Sequence, residues 1–536
     1  MPKYDTDVLV IGGGLAGLCS AISAASDMSR VMVVTKTLVG ASTTTSMAAG
    51  IISAVTPFGE GDSVELHYND TLKGGAFVND KLLAKAMVSD ASKYFSRLSG
   101  LGIEFEGDAS PKVGMIPGHS KPRSYYMKGK GIRLQSVLRN AASGLGATFL
   151  EKALVTALVK EGERVVGAVG ISIPTGEPFA IRAKATVLAT GGLGELYPYT
   201  LMPTGSTGYG CSLALRAGAE LVDMEFVQFY PTMTYGTGLP KIFIEYSVLL
   251  RNGADVIDDK GMSIFRKAKV DEPWRLTRDA FSILIAKEQI GGGSARQVFF
   301  DCTKIPAERI KDDVILRNTL NDLASKHVPV ETKPFGVSPY AHFNMGGIKA
   351  NPNCETRVPG LYASGEAMGG PHGANRIGGN AFAAAIAFGF RAGMAASLYC
   401  STVDGGKDAS FQAPLSQLAE QISSQGTTDA AKLKTDVQSE MWKNAGILRR
   451  REGLENALLR FSALREIKPK SANPVDKLLL PMMLDTAESV ALSAMVREES
   501  RGSHCRLDYP SQNDQWLKRI KIMLDGGDLS VHLIDV

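Results

Sequence analysis

The 536-residue sequence holds six cysteines, and no two of them form a C-x-x-C pair. Cys19, Cys211, Cys302, Cys354, Cys400 and Cys505 offer no zinc or iron–sulfur site readable within the chain, and their scatter argues against a disulfide framework. They read as reduced, buried thiols of a cytoplasmic protein. Charge of one sign is also scarce. Lys and Arg number 59 against 55 Asp and Glu, a net +4 too small and too dispersed to imply nucleic acid, although small anionic substrates fit. The opening MPKYDTDVLVIGGGLAG lacks signal-peptide architecture and reads as a mature cytosolic start. The most apolar stretch, NAFAAAIAFGFRAGMAASLYC, carries Arg391 and glycines, which predicts a buried helix instead of a membrane span.

What remains is an ordinary globular composition, 44% hydrophobic and 21% charged, long enough for about two to four domains. DVLVI, GGGLAG, the small-residue run LCSAISAAS and then RVMVVT spell a βαβ unit. Gly12, Gly14 and Gly17 fit G-x-G-x-x-G, which allows a tight turn, close approach of a pyrophosphate and close helix–strand packing. A nicotinamide site would offer an acid after the second strand, but Thr35 and Lys36 stand there, which counts against simple NAD binding. The next stretch, GASTTTSMAAGIISA with Ser42, Thr43 and Gly50, reads equally as a polar surface loop or as a segment running along a cofactor.

A later stretch, GGPHGANRIGGN, sets His372 and Arg376 among glycines. Glycine lets backbone approach closely, and the Arg376 fork suits a carboxylate or phosphate; a tight loop with a solvated arginine is the plainer alternative.

Three further blocks carry a specific likeness: ATVLATGGLGELYPYT leading into AGAELVDMEFVQFYPT, then AHFNMGGIKA through GLYASGEAMGGPHGANRIGGNAFAAAIAFG, then EESRGSHCRLDYP. With the N-terminal glycines they resemble the flavoprotein family of fumarate reductase and succinate dehydrogenase flavoprotein subunits and L-aspartate oxidase, over nearly the whole chain. The resemblance implies an α/β fold, a Rossmann-like FAD-binding domain with an inserted α+β capping domain and a C-terminal helical domain. The expected boundaries are 1–225 with 342–413, then 226–341, then 414–536.

It also implies roles. Gly12, Gly14, Gly17, Thr35, Lys36, Ser42, Thr43, Gly50, Gly191, Glu366 and Asn380 would bind FAD, with Glu366 on the ribose or ribityl hydroxyls. Arg376 would grip one carboxylate of a four-carbon dicarboxylate, and His342 the other. Tyr230, Thr232 and His372 would also contact substrate. Arg278, in an R-D pair on the cap, would be the proton donor, with Arg275 competing. FAD N5 would deliver hydride, so catalysis would rest on Arg278, Arg376 and His342.

Several positions depart from the family pattern. Thr43 stands where many members carry a histidine bonded to FAD, so the cofactor is expected to be noncovalent. Tyr230 replaces the histidine of Q-F-H-P-T, Tyr209 replaces the acid of T-G-D-G, and Glu245 only loosely matches another acidic position. Ile116 in MIPGHSKPR stands where aspartate oxidases place the acid that meets an ammonium, which favours fumarate–succinate chemistry over aspartate oxidation. With no cluster ligands of its own, the chain would need an iron–sulfur partner subunit or a soluble donor for electrons, and would meet a membrane only through partners.

Overall fold

The computed structural model describes residues 3–107, 111–290, 297–471 and 473–536; Met1 and Pro2, on which the reading of a mature start rests, lie outside them. The chain divides into two compact units. One comprises the residues up to Pro198, Met202–Val227 and Phe343 onward, and the other comprises Tyr199–Leu201 and Gln228–His342.

The larger unit is built on a seven-stranded sheet, in the order Thr148–Glu151, Val31–Thr35, Lys3–Ile11, Pro178–Leu188, Arg164–Ser172, Ala153–Glu161. Strand Pro178–Leu188 shares its far edge between two neighbours. Arg164–Ser172 pairs antiparallel with its first half, and Leu361–Ala363 pairs parallel with its end, Leu361 opposite Thr186. Five strands therefore run parallel and end together, at Glu151, Thr35, Ile11, Leu188 and Ala363. The carboxyl edge of such strands is where α/β folds bind ligands. Val8, Leu9, Val10 and Ile11 are all buried, which is why DVLVI reads as a continuous apolar run rather than an alternating one.

Helix Leu15–Ser26 packs against helix Asn380–Cys400, and the small residues of both allow it. A Cβ built at Gly389 would lie 2.7 Å from the Ala16 carbonyl oxygen, and one at Gly393 would lie 2.1 Å from that of Ser20. Ser20 Oγ donates to the Gly389 carbonyl at 2.9 Å. Asn380–Cys400 and Pro474–Val496 are each long and apolar enough to cross a membrane, but 67% and 61% of their apolar windows are buried inside the fold. Substituting Gly393→Ala is expected to lower the unfolding free energy by about 1–3 kcal/mol in denaturant titration, overpacking outweighing alanine's better helix propensity.

Helices Gln412–Ser423, Ala430–Asn444, Arg451–Arg465 and Pro474–Val496 follow. Beyond Val496 the chain turns to strands. Lys518–Asp525 and Asp528–Asp535 form a hairpin around Gly526 and Gly527, both at positive φ, and the first of them pairs with Leu221–Val222.

The smaller unit carries a four-stranded sheet ordered Val227–Thr234, Phe335–Asn344, Val298–Asp301, Asp255–Ile257. Helices including Arg278–Ile290 and Val314–Ser325 supply Phe281, Leu316 and Leu320 to a core shared with Tyr230, Phe300 and Val337.

Candidate functional site

The glycine turn after the first strand is shaped for both packing and access. Gly12 sits at φ +120°, and a Cβ there would fall 2.1 Å from the Ala189 carbonyl oxygen; one at Gly17 would meet the Gly12 carbonyl oxygen at 1.9 Å. Gly14, the N-cap of helix Leu15–Ser26, differs: a Cβ there meets only Thr45 Oγ1, at 3.6 Å. Protein packing does not require glycine at 14, whereas a phosphate approaching a helix N-terminus does. Gly191, at φ +77°, is likewise open: a Cβ added there would have no heavy atom within 4 Å.

The hydroxyl-rich stretch is tied to this turn. Thr45 Oγ1 accepts from Leu15 N at 3.0 Å. Thr43 caps helix Thr44–Met47 with Ser46 and donates from Oγ1 to Gln135 Oε1 at 2.6 Å, while Gln135 Nε2 donates to the Gly13 carbonyl at 2.7 Å. Gln135 and Thr45 were not singled out from the sequence; a glutamine inside a helical pattern gives no signal of such a task. Thr35 is buried against the turn, and Ser42 is exposed at φ +47°. Gly50, at φ +74°, is pressed against the Lys130 backbone. Lys36 donates to the Gly205 carbonyl and lies 4.1 Å over the Tyr209 ring, where burial pulls its ammonium down to about 8. An aromatic face at position 209 thus receives a cation where the family acid would have offered charge.

Around Glu366 three segments converge. Its carboxylate accepts from Asn344 N at 3.2 Å, Asn344 Nδ2 donates to the carbonyls of Glu366 and Gly346, and Asn344 Oδ1 accepts from Leu193 N. Gly192 leaves room for this meeting, since a Cβ there would lie 2.5 Å from both Asn344 Oδ1 and Glu366 Oε1. Asn344 belongs to the HFNMGG block, where its residue type alone suggests no role. Burial pushes the Glu366 carboxyl up from 4.5 to about 8, against the opposing Asn344 N–H and Arg376 charge. A carboxyl raised on folding binds more protons folded than unfolded between about 4.5 and 8, so it erodes stability as pH climbs through that window. In the flavin-free protein, Glu366→Gln is expected to raise the melting temperature at pH 8 and to leave it near wild type at pH 5, read by calorimetry.

The loop from Gly369 to Asn380 is held at several points. Asn79 Nδ2 donates to the Pro371 carbonyl at 3.0 Å. His119 Nε2 and Ser53 Oγ both reach the Gly378 carbonyl, at 2.8 and 3.1 Å. His119 Nδ1 accepts from Arg123, which forms ion pairs with Asp62 and Asp70, so the tautomer is set with the proton on Nε2. The Asn380 side chain bonds His67 Nε2 at 2.8 Å and Thr71 Oγ1 at 3.0 Å. Arg376 is buried, its guanidinium 4.5 Å from the centre of the Phe343 ring. His372 is buried beside the same ring; burial and the Arg376 charge hold it down at about 3, so it is a neutral imidazole. Ile116 presses on Gly378: a Cβ there would meet its Cγ2 at 2.5 Å.

Three buried polar atoms without a protein partner lie just after the parallel strands or on the Gly369–Asn380 loop. Thr190 Oγ1 follows strand Pro178–Leu188, Ser364 Oγ follows Leu361–Ala363, and His372 Nδ1 lies on the loop just described. Unmet hydroxyls after these strands and an unobstructed Gly14 at a helix N-terminus fit a bound dinucleotide. Gly12, Gly14, Gly17 and Gly191 would then form the floor under it, and Glu366 would offer a protonated carboxyl to its hydroxyls.

In the smaller unit, Arg278 opens helix Arg278–Ile290; its Nη1 donates to His342 Nε2 at 3.5 Å and its guanidinium lies 5.5 Å over the Tyr230 ring. Arg275 is exposed and pairs with Glu272. The hydroxyls of Tyr230 and Thr232 are both spent on one acceptor, the Ile244 carbonyl, at 3.0 and 2.9 Å. Burial holds the Tyr230 phenol well above its ordinary value, so it stays protonated. Glu245 is exposed and accepts from Ser247.

A family model described as FAD binding domain matches residues 7–382, and one described as fumarate reductase flavoprotein C-term matches residues 434–534. A CoM/CoB fumarate reductase subunit of Methanothermobacter marburgensis is 32% identical, across 96% of this chain and 97% of its own length. L-Aspartate oxidase of Agrobacterium fabrum is also 32% identical, across 98% of this chain and 95% of its own. A solved structure of E. coli quinol fumarate reductase, 27% identical, superposes with a TM-score of 0.89, covering 100% of this chain and 97% of that one. With the glycine cradle, the Glu366 junction and these matches together, the chain belongs to the FAD-dependent oxidoreductase family of fumarate reductase and succinate dehydrogenase flavoproteins, in which L-aspartate oxidases are also found.

Proposed function

We propose that the protein interconverts fumarate and succinate, with Arg278 as proton donor. The observation that carries this reading is the setting of Arg278: it touches His342 and the Tyr230 ring, while Arg275 points to solvent. When bound, FAD would supply the hydride chemistry at one olefinic carbon. Arg278 gives a proton to the other carbon, completing succinate, and is reprotonated afterwards. Guanidinium groups are very weak acids, so such a donor serves only a strongly basic carbanion. Arginine only donates, so His342 Nε2 accepts and the imidazole carries its proton on Nδ1. Arg376 holds the second carboxylate through its fork. Because their hydroxyls are satisfied by Ile244, Tyr230 and Thr232 contribute the aromatic face under Arg278 and a fixed strand rather than direct donors.

Thr43 offers no ring nitrogen for attachment and its hydroxyl is engaged with Gln135, which supports a noncovalent flavin. All flavin is expected in the supernatant after acid precipitation; a yellow pellet contradicts this. Among the described residues no three His, Cys, Asp or Glu side chains form a metal site, and all six cysteines are buried, so electrons are assigned to an iron–sulfur partner subunit.

Aspartate oxidation is the second reading, favoured by the aspartate oxidase relatives. Ile116 against Gly378 argues the other way, because an ammonium placed there meets a methyl group instead of a carboxylate. Purified protein assayed with reduced viologen and fumarate, and separately with oxygen and L-aspartate, decides between them; peroxide release from aspartate without fumarate reduction overturns the first reading.

A further inference from the structure

The C-terminal motif EESRGSHCRLDYP has no part in the chemistry above, yet it ends against the loop that carries Arg376. We propose that its residues 501–504 form a positioning clamp that keeps Arg376 in register for dicarboxylate binding; this rests on the reading of Arg376 as a carboxylate ligand.

Ala374, fully buried, is held from two sides. Its N–H donates to the Gly75 carbonyl at 2.8 Å, and its carbonyl accepts both the Ser503 N–H at 3.0 Å and Ser503 Oγ at 3.1 Å. Gly502 sits at φ +55°, and a Cβ there would lie 2.4 Å from the Ala374 carbonyl oxygen and 2.7 Å from its Cβ. Only glycine permits that approach.

The clamp is itself immobilised. Arg501 pairs with Glu499, which pairs with Arg497, which pairs with Glu225, and all four side chains are fully buried. Arg501 Nη1 also donates to the Ala76 carbonyl at 3.0 Å, within the segment that holds the other side of Ala374. His504 accepts from Arg449 at Nδ1, 2.7 Å, and reaches the Arg497 carbonyl through Nε2. Ala374 and Phe343 share one apolar cluster, and Phe343 is the ring on which the Arg376 guanidinium rests. The backbone two residues before Arg376 and the surface beneath its head group are therefore fixed by one assembly.

Gly502→Ala, Ser503→Ala and Ser503→Thr holoproteins test this with two independent readouts, hydrogen exchange of the 374–376 amides and the KM for fumarate with reduced viologen. Gly502→Ala is expected to speed exchange and raise KM by about tenfold or more, with kcat and flavin content within about threefold of wild type. Ser503→Ala removes one of two bonds and is expected to raise KM by about fivefold, and Ser503→Thr to restore it. If Gly502→Ala fails to fold, the alanine–threonine pair at 503 decides alone. Wild-type KM in flavin-bound Ser503→Ala overturns the proposal, whether or not exchange is faster. An unaltered KM in Arg376→Met overturns the reading of Arg376 instead, and the exchange result then stands apart from it.

Discussion

Arg278→Lys is expected to lower fumarate reduction by about 10²–10⁴-fold while flavin content and dicarboxylate binding stay near wild type. Lysine keeps the positive charge, so electrostatic attraction for a dianion survives. What it loses is the planar, multiply donating head group that reaches His342 Nε2 and spans the Tyr230 ring from the first turn of helix Arg278–Ile290. An ammonium is compact and cannot keep both contacts while presenting a proton. The companion variant is Arg275→Lys, which should turn over normally because that side chain is exposed beside Glu272. Steady-state rates with reduced viologen, together with spectral titration by malonate, separate the two effects. A near-normal rate in Arg278→Lys moves the donor elsewhere.

Arg376→Met is expected to do the reverse and weaken malonate binding by about 10²–10³-fold, the usual cost of deleting one buried member of a charge pair. Methionine matches much of the arginine stem and can rest on Phe343, so the loop should stay folded. The loop has anchors apart from the guanidinium: Pro371 is held by Asn79, Gly378 by His119 and Ser53, and Asn380 by His67. Flavin content is the control. Tight malonate binding in this variant removes Arg376 from the substrate site, and loss of flavin as well shows that it serves the cofactor.

The sequence made some of this plain and hid the rest for physical reasons. Gly17 was legible because its constraint is local, an added Cβ meeting the Gly12 carbonyl oxygen at 1.9 Å, whereas Gly12 was legible only through the glycine spacing, its own obstruction being the distant Ala189 carbonyl. DVLVI and RVMVVT were legible because strands buried on both faces are apolar throughout. Asn344, Gln135 and His119 were not, since each acquires its task from a partner far along the chain; Asn344 bonds Leu193, and His119 bonds Gly378. Tyr230 and Thr232 show the same limit. Their residue types announce donors, but only the fold reveals that Ile244 already takes both hydroxyls. The hairpin at the end of the chain departs from the expected helical region: RIKIMLD and DLSVHLID flank a Gly-Gly turn, a strand signal that follows a run of strong helical patterns.

The divided edge of strand Pro178–Leu188 has a consequence for how the protein is made. Its parallel neighbour there, Leu361–Ala363, is translated only after the whole smaller unit has been synthesised, and Ser503 later still. At about 5–20 residues per second the nascent chain spends many seconds with four of its five parallel strands and no partner for the tip of the fourth. The sheet edge beside the glycine turn is thereby completed only once residues 361–363 have been added.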